Sequence, residues 1–156
     1  MERVGFGPRF LAALIDVVAL LIVLTILGTV FGVSAFSMGA GVTGFSIIAV
    51  VMALIPLGYT TTEIFQAATP GKQLMKLKIR NQDGTDADQS VLQKRWAIKA
   101  SGSLISLVGT LTTVTLISTI GGLVGLVIGL GCFLVLTEGK QALHDKLANT
   151  AVFKVG

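Results

Sequence analysis

The sequence predicts an all-α integral membrane protein, a four-transmembrane-helix bundle with a short cytoplasmic amphipathic loop. Three observations predict it. Of 156 residues, 53% are hydrophobic and only 13% charged, against roughly 25% charged in ordinary soluble domains, and the mean hydropathy is +0.85. Four apolar segments, about 8–33, 46–68, 97–115 and 118–136, each approach the thickness of a bilayer core. All 12 Lys and Arg residues gather in the N-terminal tail and its helix entry, between Lys72 and Lys99, or after Leu136. The length suits a single domain over 1–156 and leaves no room for a large soluble catalytic domain.

The first segment begins with basic residues like a signal peptide, but it runs too long and contains Asp16, so it reads as a retained span. The second, to about residue 68, carries Pro56 in its interior and Glu63 near its end. From Ala100 to Thr137 no residue is charged, too long a run for one span. Ser118-Thr119-Ile120-Gly121-Gly122 supplies the expected turn of a helical hairpin, with one long tilted helix and a re-entrant piece as the alternative. An even number of spans places the three basic regions on one face, and the positive-inside rule makes that face, with both termini, cytoplasmic.

The cytoplasmic loop, residues 69–96, has structure of its own. From Leu74 to Arg80 basic and apolar residues alternate with the period of a half-buried strand, and Asp83-Gly84 offers a turn. The reading is a short β-ribbon at the headgroups, Met75, Leu77 and Ile79 on the helix ends and the basic row facing anionic lipid at about 1 kcal/mol per residue. A solvated loop that only sets topology is the plainer alternative.

An ionisable residue inside an apolar span is expensive and needs a partner, which makes Arg9 and Asp16 the first candidates for a site. Seven residues separate them, so they share a helix face about 10 Å apart along the axis and cannot touch. Arg9 can snorkel to the interface, whereas Asp16 must find a donor, a water or a cation. Glu63 is expected at a similar depth. Two carboxylates at one depth can share a proton or a small cation, with carbonyls freed by Pro56 as further ligands. Alternatively Glu63 pairs with Arg9 or Lys72, and Asp16 makes a structural polar contact.

His144-Asp145-Lys146 follows the last span. Adjacent residues do not face each other on a helix and no nucleophile is in view, so a structural role outranks a catalytic one, and Asp145 can reach Arg9 as a tail-to-helix clasp. Gly39-Ala40-Gly41-Val42-Thr43-Gly44 matches a dinucleotide fingerprint in letters alone, because it follows no strand. Gly71-Lys72 lacks the rest of a phosphate-binding loop, and Asn81-Gln82-Asp83-Gly84-Thr85-Asp86 lacks the ends of a calcium loop. No cofactor is expected, no metal is specified, and the single Cys132 builds neither a disulfide framework nor a thiolate site. Gly121, Gly125 and Gly129 in the fourth segment and Gly28 and Gly32 in the first read as close-packing stripes, within the subunit or between copies. The hydroxyls from Thr110 to Thr119 line a wet vestibule or, more commonly, bond their own helix.

Arg9-Phe10-Leu11-Ala12-Ala13-Leu14-Ile15-Asp16 resembles the first-helix signature of the RDD family, small bacterial and archaeal membrane proteins named for one arginine and two aspartates. Thr69-Pro70-Gly71-Lys72-Gln73-Leu74 resembles the family's T-P-G-K segment, and Leu143-His144-Asp145-Lys146-Leu147-Ala148-Asn149-Thr150 its closing motif. The resemblance implies that Arg9 is the family arginine, Asp16 the first aspartate and Asp145 the second, although Asp83 also falls in a recurrent position. It implies a multi-pass protein of the cytoplasmic (inner) membrane. It also implies transport of undefined ligands or an accessory role in other membrane proteins. The expectation is a non-enzymatic, cation- or proton-linked transporter in which Asp16 and Glu63 bind the ion and Arg9 tunes them. The alternative is an accessory or regulatory subunit of a larger membrane protein complex. A homo-oligomer or a larger protein partner is expected, and no nucleic acid.

Overall fold

The computed structural model describes residues 2–30 and 47–155. The connection between the first two apolar segments lies outside the described residues, and with it Gly32 and the glycine-rich 39–44 stretch. Helix α1 (Phe6–Val30) is followed by α2 (Ile47–Thr60), α3 (Thr62–Gln66), α4 (Pro70–Leu74) and strand β1 (Leu77–Asn81). Then come α5 (Gln89–Leu111), α6 (Thr115–Leu130) with a 3-10 extension Gly131–Leu136, α7 (Leu143–Leu147) and strand β2 (Thr150–Lys154).

Two of these are long and apolar enough to cross a membrane, Phe6–Val30 and Thr115–Leu136. Neither is buried by the rest of the protein. Along α1 the side chains of Phe10, Leu14, Val18, Leu21 and Ile26 are exposed, as are Leu116, Leu123, Leu126 and Leu130 on α6. In water such contiguous apolar faces are a liability, whereas in lipid, as apolar as leucine itself, they carry no penalty.

The second apolar segment is not one helix. Thr60, Thr61 and Thr62 turn their hydroxyls back onto the carbonyls of Leu57, Gly58 and Tyr59, the local competition by which such side chains loosen a helix. The chain therefore breaks after Thr60, makes the single turn of α3, and leaves it through Ala67 in the left-handed region (φ 52°). The third helix begins at Gln89, earlier than the expected 97, because the charged stretch before the apolar run is also helical.

The hairpin turn is displaced as well. It falls at Thr112–Val114, with Thr113 at φ 59°, and not at Ser118–Gly122. The glycines read as a turn signal serve packing instead. A Cβ at Gly102 would collide with the backbone of Gly125, one at Gly121 with Ser106, and one at Gly109 with Ser118. The two backbones thus meet at points only hydrogen can occupy. Gly129, at the far end of the same stripe, has nothing near it. The hydroxyls of Thr110, Thr112 and Thr119 bond carbonyls of their own helices, which favours the second of the two readings of that cluster.

The loop strand is real and the turn at Asp83-Gly84 forms, closed by a single Arg80–Asp86 bridge, but the extended ladder lies elsewhere. β1 pairs antiparallel with β2 at the other end of the chain, Leu77 opposite Lys154 and Asn81 opposite Thr150. The N-terminal tail joins them through an Arg3–Phe153 bridge and a Val4 N–H donated to the Val152 carbonyl at 2.9 Å. The hydrophobic core sits here. Val4, Ala12, Ala67, Leu77, Ile79, Leu92 and Val152 form it, with Met75 and Ala87 packed on its edge. The basic side chains of β1 are engaged within the protein: Lys78 and Arg80 both pair with Asp86, at 2.9 and 3.3 Å. The expected row of cations facing lipid is therefore reduced on this strand.

Candidate functional site

Arg95, in the second turn of α5, is the centre of a buried polar cluster, with its side chain only 2% exposed. Its Nε donates to Asp145 Oδ1 at 2.8 Å and its Nη1 to Glu63 Oε2 at 2.6 Å. Its Nη2 lies 3.0 Å from His144 Nε2. A guanidinium has only donors, so His144 Nε2 must be the acceptor and the imidazole is neutral with its proton on Nδ1. That Nδ1 is buried and has no hydrogen-bond partner among the described residues.

Arg9 reaches the same cluster from α1. Its Nη1 donates to Asp145 Oδ2 at 2.5 Å, Nε to the Val4 carbonyl at 3.0 Å and Nη2 to the Lys140 carbonyl at 2.8 Å. The clasp anticipated between Arg9 and Asp145 is present, and Asp145 is shared between two arginines. Asp145 also accepts from the Ala142 N–H at 3.2 Å, one of the orphan donors at the start of α7. Burial alone would raise the Asp145 carboxyl, but Arg95, His144 and Arg9 together hold it well below the ordinary carboxylate range.

Glu63, on α3, is 1% exposed and completes the cluster. Lys72 and Lys99 both donate to its Oε1, the latter at 3.0 Å, while Arg95 takes Oε2. Of the partners proposed for it, Lys72 is correct and Arg9 is not. The hydrogen-bonded network thus holds four cations, Arg9, Lys72, Arg95 and Lys99, against two carboxylates. Burial brings the Lys72 ammonium down to about 8 in spite of Glu63, and Arg95 and Lys99 push the same way.

Asp16 is held separately. Tyr59 OH and the Gly71 N–H donate to its Oδ1, both at 2.7 Å, and Thr69 OH donates to Oδ2 at 2.5 Å. The T-P-G-K segment explains itself through these contacts. Thr69 is the N-cap of α4, accepting weakly from the Lys72 N–H at 3.4 Å while bonding Asp16. Pro70 stands at the first helical position, where its fixed φ suits the helix. Gly71 must lack a side chain, because a Cβ would run into the Ala12 carbonyl oxygen and the Asp16 carboxyl. Lys72 turns the other way, to Glu63.

The expected joint site of Asp16 and Glu63 is not assembled: the two carboxylates have no donor in common, and Arg9 serves neither. No group of three or more His, Cys, Asp or Glu among the described residues is placed to hold a metal ion. Arg95 and Lys99 are the functional residues that sequence reasoning missed. Their signal was spacing: Arg95, Lys99 and Gly102 stand at i, i+4 and i+7, one helix face turned toward the cluster and the hairpin.

Neutral His144 gives the site a pH dependence. Burial, with Arg95 beside it, lowers the imidazole from 6.5 to about 3. The unfolded chain takes up that proton first, so folded-state stability is complete above about pH 6.5 and declines toward 3. The expected loss is about 1.4 kcal/mol per pH unit within that window, read as thermal unfolding in detergent from pH 7 to 5. His144→Gln, which keeps an acceptor for Arg95 without titrating, should flatten the slope; an unchanged slope would show that another group sets it.

No curated protein and no solved structure matches the chain. The chain does match one family by sequence. A sequence model of the RDD family matches residues 3–149, nearly the whole length, and the chain is a member of that family of membrane proteins.

Proposed function

We propose that this RDD protein is a four-span, non-catalytic module of the bacterial or archaeal inner membrane that serves as an accessory subunit of a larger membrane assembly, its polar cluster acting as a structural lock. The observation that carries the reading is the complete engagement of the carboxylates. Glu63 and Asp145 are enclosed by protein donors with cations in excess, and Asp16 accepts three hydrogen bonds from Tyr59, Thr69 and Gly71. A cation would have to displace those donors, in a cluster whose surplus charge already repels it. Support for the topology comes from the packing of the N-terminal tail, β1 and β2 into one layer, which suits basic regions that share a side. Support for a partner comes from Gly129, a small residue on an exposed apolar helix with nothing against it.

The test has two arms on purified, folded protein. In proteoliposomes, sodium, potassium or lithium should evoke no proton movement, and Asp16→Asn and Glu63→Gln should behave like the parent. In the native membrane the protein should migrate as a stoichiometric complex with a larger membrane protein, released by Gly129→Leu without loss of helicity. Cation-evoked dye dequenching that disappears in the two carboxylate variants would overturn the accessory reading in favour of cation- or proton-linked transport.

A further inference from the structure

Between α2 and the α5–α6 hairpin runs an open-sided, mainly apolar groove of about 540 Å³, lined among others by Pro56, Thr60, Trp96, Lys99, Ser106 and Gly122. Its volume lies within the roughly 300–1,000 Å³ of small-molecule sites. We infer that this groove binds one acyl chain of an anionic phospholipid, with the phosphate of its headgroup at Lys99.

Three observations lead there. The first is length. The groove lining runs along α5 from Trp96 to Thr110, and the part from Lys99 onward covers about 16 Å at 1.5 Å per residue, close to half of a hydrocarbon core about 30 Å thick. That is the reach of one chain in one leaflet. The second is charge. Lys99 is the most exposed cation of the cluster, at 30%, and it shares Glu63 Oε1 with Lys72 while Arg95 occupies Oε2. Glu63 and Asp145 cannot neutralise the four cations of the network, and a monoanionic phosphate at the groove mouth offsets part of the surplus. The third is the placing of polar groups. Trp96, whose Nε1 donates to Thr60 Oγ1 at 3.0 Å, stands at the Lys99 end, the level a tryptophan prefers at a membrane interface. Beyond it the lining includes the small residues Ala100, Gly102, Ser103 and Ser106, and the space over Gly122 is open. This site is distinct from the general attraction of a basic surface to anionic lipid, because it selects by groove as well as by charge, and it stands independently of the accessory reading.

Trp96 is the only tryptophan, so its fluorescence reports on the groove directly. The full chain is reconstituted in vesicles containing a graded fraction of chain-brominated phosphatidylglycerol or chain-brominated phosphatidylcholine, the remainder unbrominated. The anionic quencher should reach half-maximal quenching at a mole fraction lower by roughly fivefold, the factor one lysine supplies against an anionic headgroup. Gly122→Leu, whose side chain enters the groove from a position with no neighbour within 4 Å, should abolish that preference while helicity is retained. Lys99→Gln should bring the two lipids toward equality. Equal quenching by both lipids in the parent, a preference that survives Gly122→Leu, or an absence of quenching because a second copy or another protein fills the groove would each overturn the inference.

Discussion

Arg95→Met is expected to destabilise the protein by about 3 kcal/mol, the low end of the roughly 3–5 kcal/mol seen when one partner of a buried ion pair is removed. The low end applies because the stranded groups keep other donors: Arg9 still holds Asp145, and Lys72 and Lys99 still hold Glu63. What is lost is the side chain that, among the described residues, joins α3 to α7 through both carboxylates and His144. Arg95→Lys retains the charge but cannot span three acceptors with a fork, so it should fall between parent and methionine. Thermal unfolding in one detergent at pH 7.5 measures both. A methionine variant within about 1 kcal/mol of the parent would mean that the cluster is not the lock described above.

The second large effect is expected from a single methyl group. Gly71→Ala places a Cβ against the Ala12 carbonyl oxygen and the Asp16 carboxyl, and overpacking of this kind costs about 1–3 kcal/mol. Two comparisons isolate the cause. Gly129→Ala, on an open helix face, should be neutral or slightly stabilising, since alanine is the better helix former. Asp16→Ala combined with Gly71→Ala should cost less than the sum of the single changes, because the first removes the Asp16 Oδ1 and Cγ that the second strikes. Strict additivity of the pair would show that the α1–α4 contact is looser than the geometry implies.

The residues legible in the sequence were those whose type clashed with their surroundings. Arg9 and Asp16 interrupt an apolar run, and Asp145 follows one, so each demanded a partner and each has one. Arg95 was hidden for the opposite reason. It sits among Gln93, Lys94 and Trp96, where a charge looks ordinary, and only the helix that carries it inward makes it a core residue. β1 showed its alternation, but its partner β2 lies some seventy positions away, and a pairing that distant leaves no local mark. Glycine punctuation misled in the hairpin because glycine has two uses, a turn and a close approach. Gly121 serves the second, while Thr113 takes the strained turn conformation.

The distance along the chain between Arg9 and Asp145, 136 residues, separates insertion from completion in time. At roughly 5–20 residues per second of synthesis, on the order of ten seconds pass after the first helix emerges before its carboxylate exists. Every other helix among the described residues precedes α7, so the two apolar helices are made before the contact that fixes them can form. The β1–β2 pairing and the N-terminal bridge to Phe153 close still later. A chain cut short before Asp145 would therefore carry its apolar helices yet stay unlatched, with Arg9 lacking its carboxylate and Arg95 left with Glu63 alone. The Asp145 contact thus reports in one place that helices made at quite different times have met.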